Sequence, residues 1–318
     1  MELYVAHTDR EWYDTLSTHA QGGTIDEVNF WFPRSQRPAK HFREGDPIFF
    51  RLGAPVRKIA GYGFFAFLNV VPVSLAWETF GYRNGANDRG TFYRLLGRTT
   101  PEDLALPVQC MVLLDARFWP DARWVPWDEE RGYANTGVQM GRTEKDPKNV
   151  AVLLDAIRQD GATVPPELRT GFEPVLIDER EVAARSRVVR EGQGAFRLRL
   201  LEAYGGCAIT GEHTEPVLDA AHIQPYLGRS SNHPCNGLIL TKEFHALFDK
   251  GLVTIEPQPG REEYRVRVSR LLRERWSNGR RYNAFDGQSL VALPADPRLR
   301  PSREALEWHR ETIFEKVA

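Results

Sequence analysis

The stretch GATVPPELRTGFEP, residues 161–174, limits what this chain can become more than any other. Rich in proline and glycine, it carries neither the period of a strand nor that of a helix, so no regular element runs through it. What lies before it and what lies after it must build separate cores, and 318 residues are enough for two domains of ordinary size. The expected division is a first domain over 1–160, a linker and basic helical arm over 161–193, and a second domain over 194–318. The expected fold class is α+β.

Before the break, LYVAHT, EVNFWF, DPIFFRL, IAGYGFFAFLNVVPV and VQCMVLLDARFW read as strands separated by Gly and Pro. PKNVAVLLDAIRQDG then places Val150, Leu153, Leu154 and Ile157 at helical spacing ahead of a glycine stop, which closes the first domain. After the break the order changes. A helix in AFRLRLLEAYGG precedes a strand pair in CAITG and VLDAAHI, followed by a loop, a helix in TKEFHALFDKG and a strand in LVTIEP. No internal repeat or low-complexity tract interrupts either half.

Composition narrows the function classes. No run approaches the roughly 18 consecutive apolar residues that a membrane span needs. The opening MELYVAHTDREWY lacks the basic and then apolar order of a signal peptide, so a cytoplasmic protein is expected. Three cysteines, Cys110, Cys207 and Cys235, are too few and too irregular for a disulfide framework or paired CxxC knuckles. The net charge of -1 hides local clusters, so attraction to phosphate has to come from patches. Arg185, Arg187, Arg190, Arg197 and Arg199 form one candidate patch, and Arg270, Arg273, Arg275, Arg280 and Arg281 another. Glu179, Glu181 and Glu191 intersperse the first, so a solvated, internally paired helix is the competing reading.

Four of the eight histidines, His213, His222, His233 and His245, fall within 33 residues, a concentration of groups that bind metals or move protons near neutrality. His222, in LDAAHIQPY, ends a strand with Asp219 and Ala221 on the opposite face. His245 lies in the following helix with Asp249 one turn on. Asn236 opens the NGL turn that leads the loop into the next element.

The runs FRLRLLEAYGGCAITG, LDAAHIQPY and NGLILTKEFHALFDKGLVTIEP, in this order and at these distances, resemble the HNH (His-Asn-His) endonuclease domain of bacterial restriction-type nucleases, with its ββα-metal fold. The resemblance covers roughly residues 190–318, the downstream ALPADPRLRPSREALEWHRE included. It implies that His222 is the general base of phosphodiester hydrolysis. His245 would hold a divalent metal, with Mg²⁺ or Mn²⁺ expected and other divalent ions as the alternative, and Asn236 would fix the loop that orients His222. Many HNH domains carry an Asp directly before the first His, where this chain has Ala221. Asp219, roughly 7 Å along the strand, is the expected carboxylate ligand, with Asp249 in reserve. Cys207 and Cys235 with His213 or His233 could form a structural zinc site, as in some HNH domains; buried thiols are the competing reading.

In the first half, IDEVNFWFP, FREGDPIFFRL, IAGYGFFAFLNVVPVSLAWETFG and YRNGAND together resemble the PUA-superfamily barrels, the group of EVE, ASCH and SRA-like domains. Relatives of that barrel bind a modified base flipped out of duplex DNA, which needs aromatic faces for stacking and amides or carboxylates for the base edge. Trp31 and Trp77 would stack, and Asp26, Asn29 and Asn84 would read; core packing of the tryptophans is the alternative. Phe49, Phe50, Phe64 and Phe65 are expected in the core, and Trp119, Trp124 and Trp127 bracing a loop. Together the resemblances imply a modification-dependent, type IV-like restriction endonuclease acting on double-stranded DNA with modified cytosine, and a homodimer, since one HNH site cuts one strand. A type II-like HNH enzyme reading unmodified sequence and a non-catalytic nucleic-acid-binding protein are the alternatives.

Overall fold

The computed structural model describes residues 2–32, 42–98, 100, 106–133, 141–165, 168 and 192–316. The chain divides into two compact units, Met1–Leu168 and Arg169–Ala318. Arg185, Arg187 and Arg190 lie outside the described residues.

The first unit runs β1 (Leu3–Thr8), α1 (Arg10–Ala20), β2 (Thr24–Phe32), β3 (Pro47–Leu52), β4 (Lys58–Pro72), α2 (Val73–Phe80), α3 (Arg89–Leu95), β5 (Pro107–Phe118), β6 (Val125–Pro126), β7 (Gly141–Glu144) and α4 (Pro147–Gln159). One sheet takes all seven strands in the order β2-β5-β4-β3-β1-β7, with β6 on β4. β1 and β3 are parallel and every other pair is antiparallel. Among the described residues β2 and β7 end this path and do not pair with each other, so the described strands form one large sheet without the edge-to-edge pairing that would close it into the expected barrel. Register shifts between β4 and β5 at Tyr62/Phe64 and Phe65/Phe67 bend the long β4.

All five expected strands are present, but three helices of this unit were not expected. Asp9 starts α1 by accepting from the Trp12 backbone N–H at 3.1 Å, and Trp12, Tyr13 and Leu16 then pack on Phe30, Phe50 and Phe118 of the sheet. Their helical spacing is diluted in the sequence by Asp14, Thr15 and Ser17. The helix expected near the break is α4; it buries Asn149, Val150, Leu153 and Ala156, leaving Leu154 and Ile157 half-buried. Phe49, Phe50, Phe64 and Phe65 are buried. Trp119 and Trp124 tie the loop after β5, through indole N–H bonds of 2.8 Å to Asp160 and 2.9 Å to the Trp119 carbonyl, while Trp127 is fully buried.

The second unit runs α5 (Gln193–Tyr204), β8 (Leu218–His222), β9 (Gly237–Thr241), α6 (Lys242–Asp249), β10 (Val253–Pro257), β11 (Tyr264–Val268), α7 (Leu271–Arg275) and α8 (Arg303–Thr312). β8 pairs antiparallel with β9, Leu218 facing Thr241 and His222 facing Gly237; β10 pairs with β11. The strand pair expected between CAITG and VLDAAHI therefore does not form. Residues 207–211 make a tight turn, closed by a 2.9 Å bond from Gly211 N–H to the Cys207 carbonyl with Gly211 at φ +72°. Cys207, Ala208 and Ile209 are buried, so a short apolar run that suits a strand is here a core-facing turn. Among the described residues no helix is long and apolar enough to cross a membrane.

Candidate active site

β8, β9 and α6 follow one another as two strands and a helix, and α6 packs on both strands. Phe244 and Phe248, one turn apart, bury one side of α6 in the core. The same spacing sets His245 and Asp249 on an adjoining, partly exposed side. Across the junction Asp219 of β8 brings Oδ2 to 3.3 Å from His245 Nδ1, and Asp249 Oδ2 lies 3.5 Å from His245 Nε2.

The two ring nitrogens of His245 point in different directions, so one ion cannot take donors from both carboxylates and the imidazole. Among the described residues no group of three or more His, Cys, Asp and Glu could hold a metal ion. Asp219 with His245 nevertheless fits a seat of two protein donors. The carboxylate oxygen suits Mg²⁺ or Mn²⁺ and the imidazole also admits softer ions, with water and phosphate oxygens left to complete the shell.

His222, at the end of β8, is clamped from three sides. Its ring stacks on Phe196 of α5 at 4.3 Å and 12°, meets Tyr226 edge-on at 5.9 Å, and holds Nε2 at 3.0 Å from Asn232 Oδ1. An amide oxygen only accepts, so Nε2 carries the hydrogen and Nδ1 the lone pair of the neutral ring. Gly237 faces His222 across the hairpin. A β-carbon there would collide with Phe196 and Leu200, so glycine is what lets α5 come close enough to stack on the imidazole.

Asn236 is wholly buried and closes the loop that follows His222. Its Oδ1 accepts from Gln224 N–H at 2.9 Å, and its Nδ2 donates to the carbonyls of Gln224 at 3.2 Å and Ser231 at 3.0 Å. The backbone adds a 2.8 Å bond from Ile223 N–H to the Asn236 carbonyl. The loop is thereby folded back, and Asn232 returns to His222. Asn232 and Phe196 were not anticipated from the sequence. Asn232 sits in an irregular loop with no pattern to mark it, and Phe196 reads as one more apolar residue of a helix.

The groups considered for zinc are used separately. His233 Nδ1 accepts from Cys235 N–H at 3.2 Å, the Cys235 thiol donates to the Arg298 carbonyl at 3.0 Å, and His213 Nδ1 lies 2.7 Å from the Gly205 carbonyl. Burial, seconded by the Arg199 guanidinium, pushes the His233 pKa down to about 4. Burial pushes the Cys235 thiol up to about 11 against the opposing pull of Arg199. Both therefore stay neutral at physiological pH. Arg197 donates to the carbonyls of Glu215 at 3.3 Å and Leu218 at 3.0 Å, which ties α5 to the start of β8. The two described arginines of the expected phosphate patch thus lie within the unit's own charge and hydrogen-bond network.

In the first unit the residues expected to hold a base also come together. Asn29 of β2 donates to Asn84 Oδ1 at 2.8 Å and to Cys110 Sγ at 3.1 Å, and the Trp31 indole N–H donates to the Asn84 carbonyl at 2.9 Å. Asn84 Nδ2 donates to the Ala76 and Gly81 carbonyls at 3.0 and 2.9 Å. Asn29 and Asn84 are fully buried, and Asn29 Oδ1 has no hydrogen-bond partner among the described residues. Trp31 and Trp77 both lean on Phe92, at 6.0 and 5.8 Å, and Asp26 pairs with Arg83 at 3.4 Å.

Residues 207–256, which contain His222, Asn236 and His245, match the HNH endonuclease family, and this part of the chain is an HNH nuclease domain. No curated protein matches the chain. Among solved structures, a point mutant of ZmASCH from Zymomonas mobilis is similar over 48% of this chain and 96% of its own, at 12% identity and a TM-score of 0.33. ASCH from the same organism is similar over 48% and 93%, at 11% and 0.31. The modification dependent TagI restriction endonuclease is similar over 92% of this chain and 76% of its own, at 12% and 0.24.

Proposed function

We propose that the chain is a modification-dependent DNA restriction endonuclease, with the HNH domain as cutter and the first unit as reader of a modified cytosine. One observation supports the cutting half above others: within a domain of the HNH family, His222 has its ring fixed by Phe196 and Asn232 while His245 and Asp219 meet on the adjoining helix and strand. In this reading Nδ1 of His222 takes the proton from the attacking water. Asp219 and His245 hold a divalent ion, which would supply charge neutralisation at the phosphate. Asn236 holds the loop that carries Asn232, and so sets the direction of the imidazole.

For the reading half, support comes from the gathering of Asp26, Asn29, Trp31, Trp77 and Asn84 in one region of the first unit, with a buried amide oxygen on Asn29 that has hydrogen-bonding capacity to spare. A second reading, in which the first unit recognises unmodified DNA, is favoured by the amide groups of Asn84, which are used up inside the unit. Cleavage of paired plasmids, one unmodified and one carrying modified cytosine, in Mg²⁺ or Mn²⁺ separates the two. Cutting confined to the modified plasmid is the expected result, and equal cutting supports the second reading. Retained DNA binding with no cutting in either metal would leave the domain a non-catalytic DNA-binding fold.

A further inference from the structure

Seven of the eight tryptophans are buried or half-buried, whereas Trp276 is 49% exposed. An indole left in water forgoes the stabilisation that burial of so large a side chain brings, so its position calls for a partner. The backbone around it is pinned. Gly279 N–H donates to the Trp276 carbonyl at 2.8 Å, and a β-carbon on Gly279 would strike the backbone of Leu272, itself in the core. Further along, Tyr282 and Phe285 meet Phe244 edge-on at 5.5 and 5.0 Å, and Arg281 pairs with Glu243 at 2.7 Å. The segment is thus mounted on the first turn of α6, beside His245, and holds its tryptophan outward.

Its charge indicates what the partner is. Residues 270–281 contain Arg270, Arg273, Arg275, Arg280 and Arg281 against a single acidic residue, Glu274. Arg270, just before the short α7, and Arg275, its last residue, are exposed and have no ion pair among the described residues. Cations beside a projecting π face match a polyanion whose bases and sugars offer stacking surfaces. We propose that Trp276, with Arg270 and Arg275, is a DNA contact of the nuclease unit, in which the indole stacks on a base or sugar and the guanidinium groups engage flanking phosphates. This rests on the nuclease reading above only for the identity of the polymer.

The test measures binding of the full chain to a labelled duplex by fluorescence anisotropy in EDTA, where no cutting intervenes, and then cleavage with Mn²⁺. Trp276→Ala should weaken binding about ten-fold, within the range for loss of one base-stacking contact, while Trp276→Phe retains most of the affinity. The double substitution Arg270→Ala with Arg275→Ala should lower the slope of log affinity against log salt by about 2. Because about half of Trp276 is exposed, the thermal midpoint of Trp276→Ala should move little, which separates lost binding from lost folding. A folded Trp276→Ala protein with native affinity overturns the proposal, as does a wild type that binds no duplex. So does a substitution that turns a dimer into a monomer without weakening DNA binding, which would make the surface a contact between copies of the chain. Binding that depends on Trp276 in a protein that cuts nothing supports the contact and removes the nuclease reading.

Discussion

The Nε2 of His222 lies 3.0 Å from the Oδ1 of Asn232, ten residues further along the chain. The bond sets the tautomer of the imidazole and so determines which nitrogen can accept a proton. Asn232→Ala should lower the maximal cleavage rate on the order of ten-fold while leaving DNA affinity in EDTA unchanged, because His222, the proposed base, is still present but no longer aimed. Asn232→Asp tests the electrostatics. A carboxylate beside the ring favours the imidazolium and raises the pKa, and a general base has to be neutral, so the acid limb of the pH–rate profile should move to higher pH by about 1 unit. A profile that stays in place in a folded Asn232→Asp protein would show that His222 is not the base.

Asp219 and Asp249 are the two candidates for the proposed carboxylate ligand. Asp219 comes from a different element and is less exposed, 37% against 60% for the Asp249 side chain, which sits on the same exposed helix turn as His245. Asp219→Asn should therefore raise the Mn²⁺ concentration needed for half-maximal activity by about ten-fold or more, and Asp249→Asn by much less. Calorimetric titration of Mn²⁺ into the two variants checks the same ordering without turnover. The reverse order would move the seat to the Nε2 side of His245.

Gly237 and Asn236 stand side by side and support the site in different ways. Gly237→Ala forces Phe196 and Leu200 back from β9, overpacking that should cost about 1–3 kcal/mol and loosen the stack on His222. Asn236→Ala removes the three hydrogen bonds that its amide makes to the backbone of Gln224 and Ser231, at about 1–3 kcal/mol for each buried group that is not re-satisfied as the loop relaxes. Asn236→Asp should be no better, since a carboxylate cannot donate to the Gln224 and Ser231 carbonyls. Urea unfolding of the three variants measures these losses, and a native unfolding midpoint for Asn236→Asp would contradict the role of its Nδ2.

What the sequence made legible here was chemistry tied to residue type and spacing. His222, Asn236 and His245 stand out because few other side chains could fill the roles proposed for them, and the helix that carries His245 announces itself by Phe244 and Phe248 one turn apart. The supports of these residues were not legible. Phe196 reaches His222 from another helix and Asn232 reaches it from a loop, contacts that depend on how the chain folds back and leave no local period. The same physics explains the misplaced hairpin: CAIT and GLILT are both short apolar runs, and only Gly211 in the left-handed region together with the pairing of His222 to Gly237 decides which is turn and which is strand. In the first unit the strands were visible because each is long and rich in aromatic and β-branched residues. Whether their sheet closes depends on the pairing of its two edges, which no single strand encodes.

The second unit should lose stability in mild acid, before most carboxylates titrate. His309 of α8 is 2% exposed, stacks on Phe248 at 3.7 Å, bonds Thr254 Oγ1 through Nδ1 at 2.8 Å and donates from Nε2 to the Phe248 carbonyl at 3.1 Å. Burial lowers its pKa from 6.5 to about 4, against a small raising effect of the Phe248 carbonyl, and burial with Arg199 does the same to His233. For a histidine held neutral in the fold, the unfolded chain binds more protons between the two pKa values. Each group's contribution is therefore intact above about pH 6.5 and is lost progressively as the pH falls toward 4. By pH 5 the loss is about 2 kcal/mol for each histidine. Urea unfolding free energies measured from roughly pH 7 to pH 5 should fall by that order, and His309→Gln, though less stable at neutrality, should show a shallower fall because one of the two groups is gone. A slope unchanged by His309→Gln would mean that His309 takes up its proton in the folded state, which its contacts with Thr254 and Phe248 oppose.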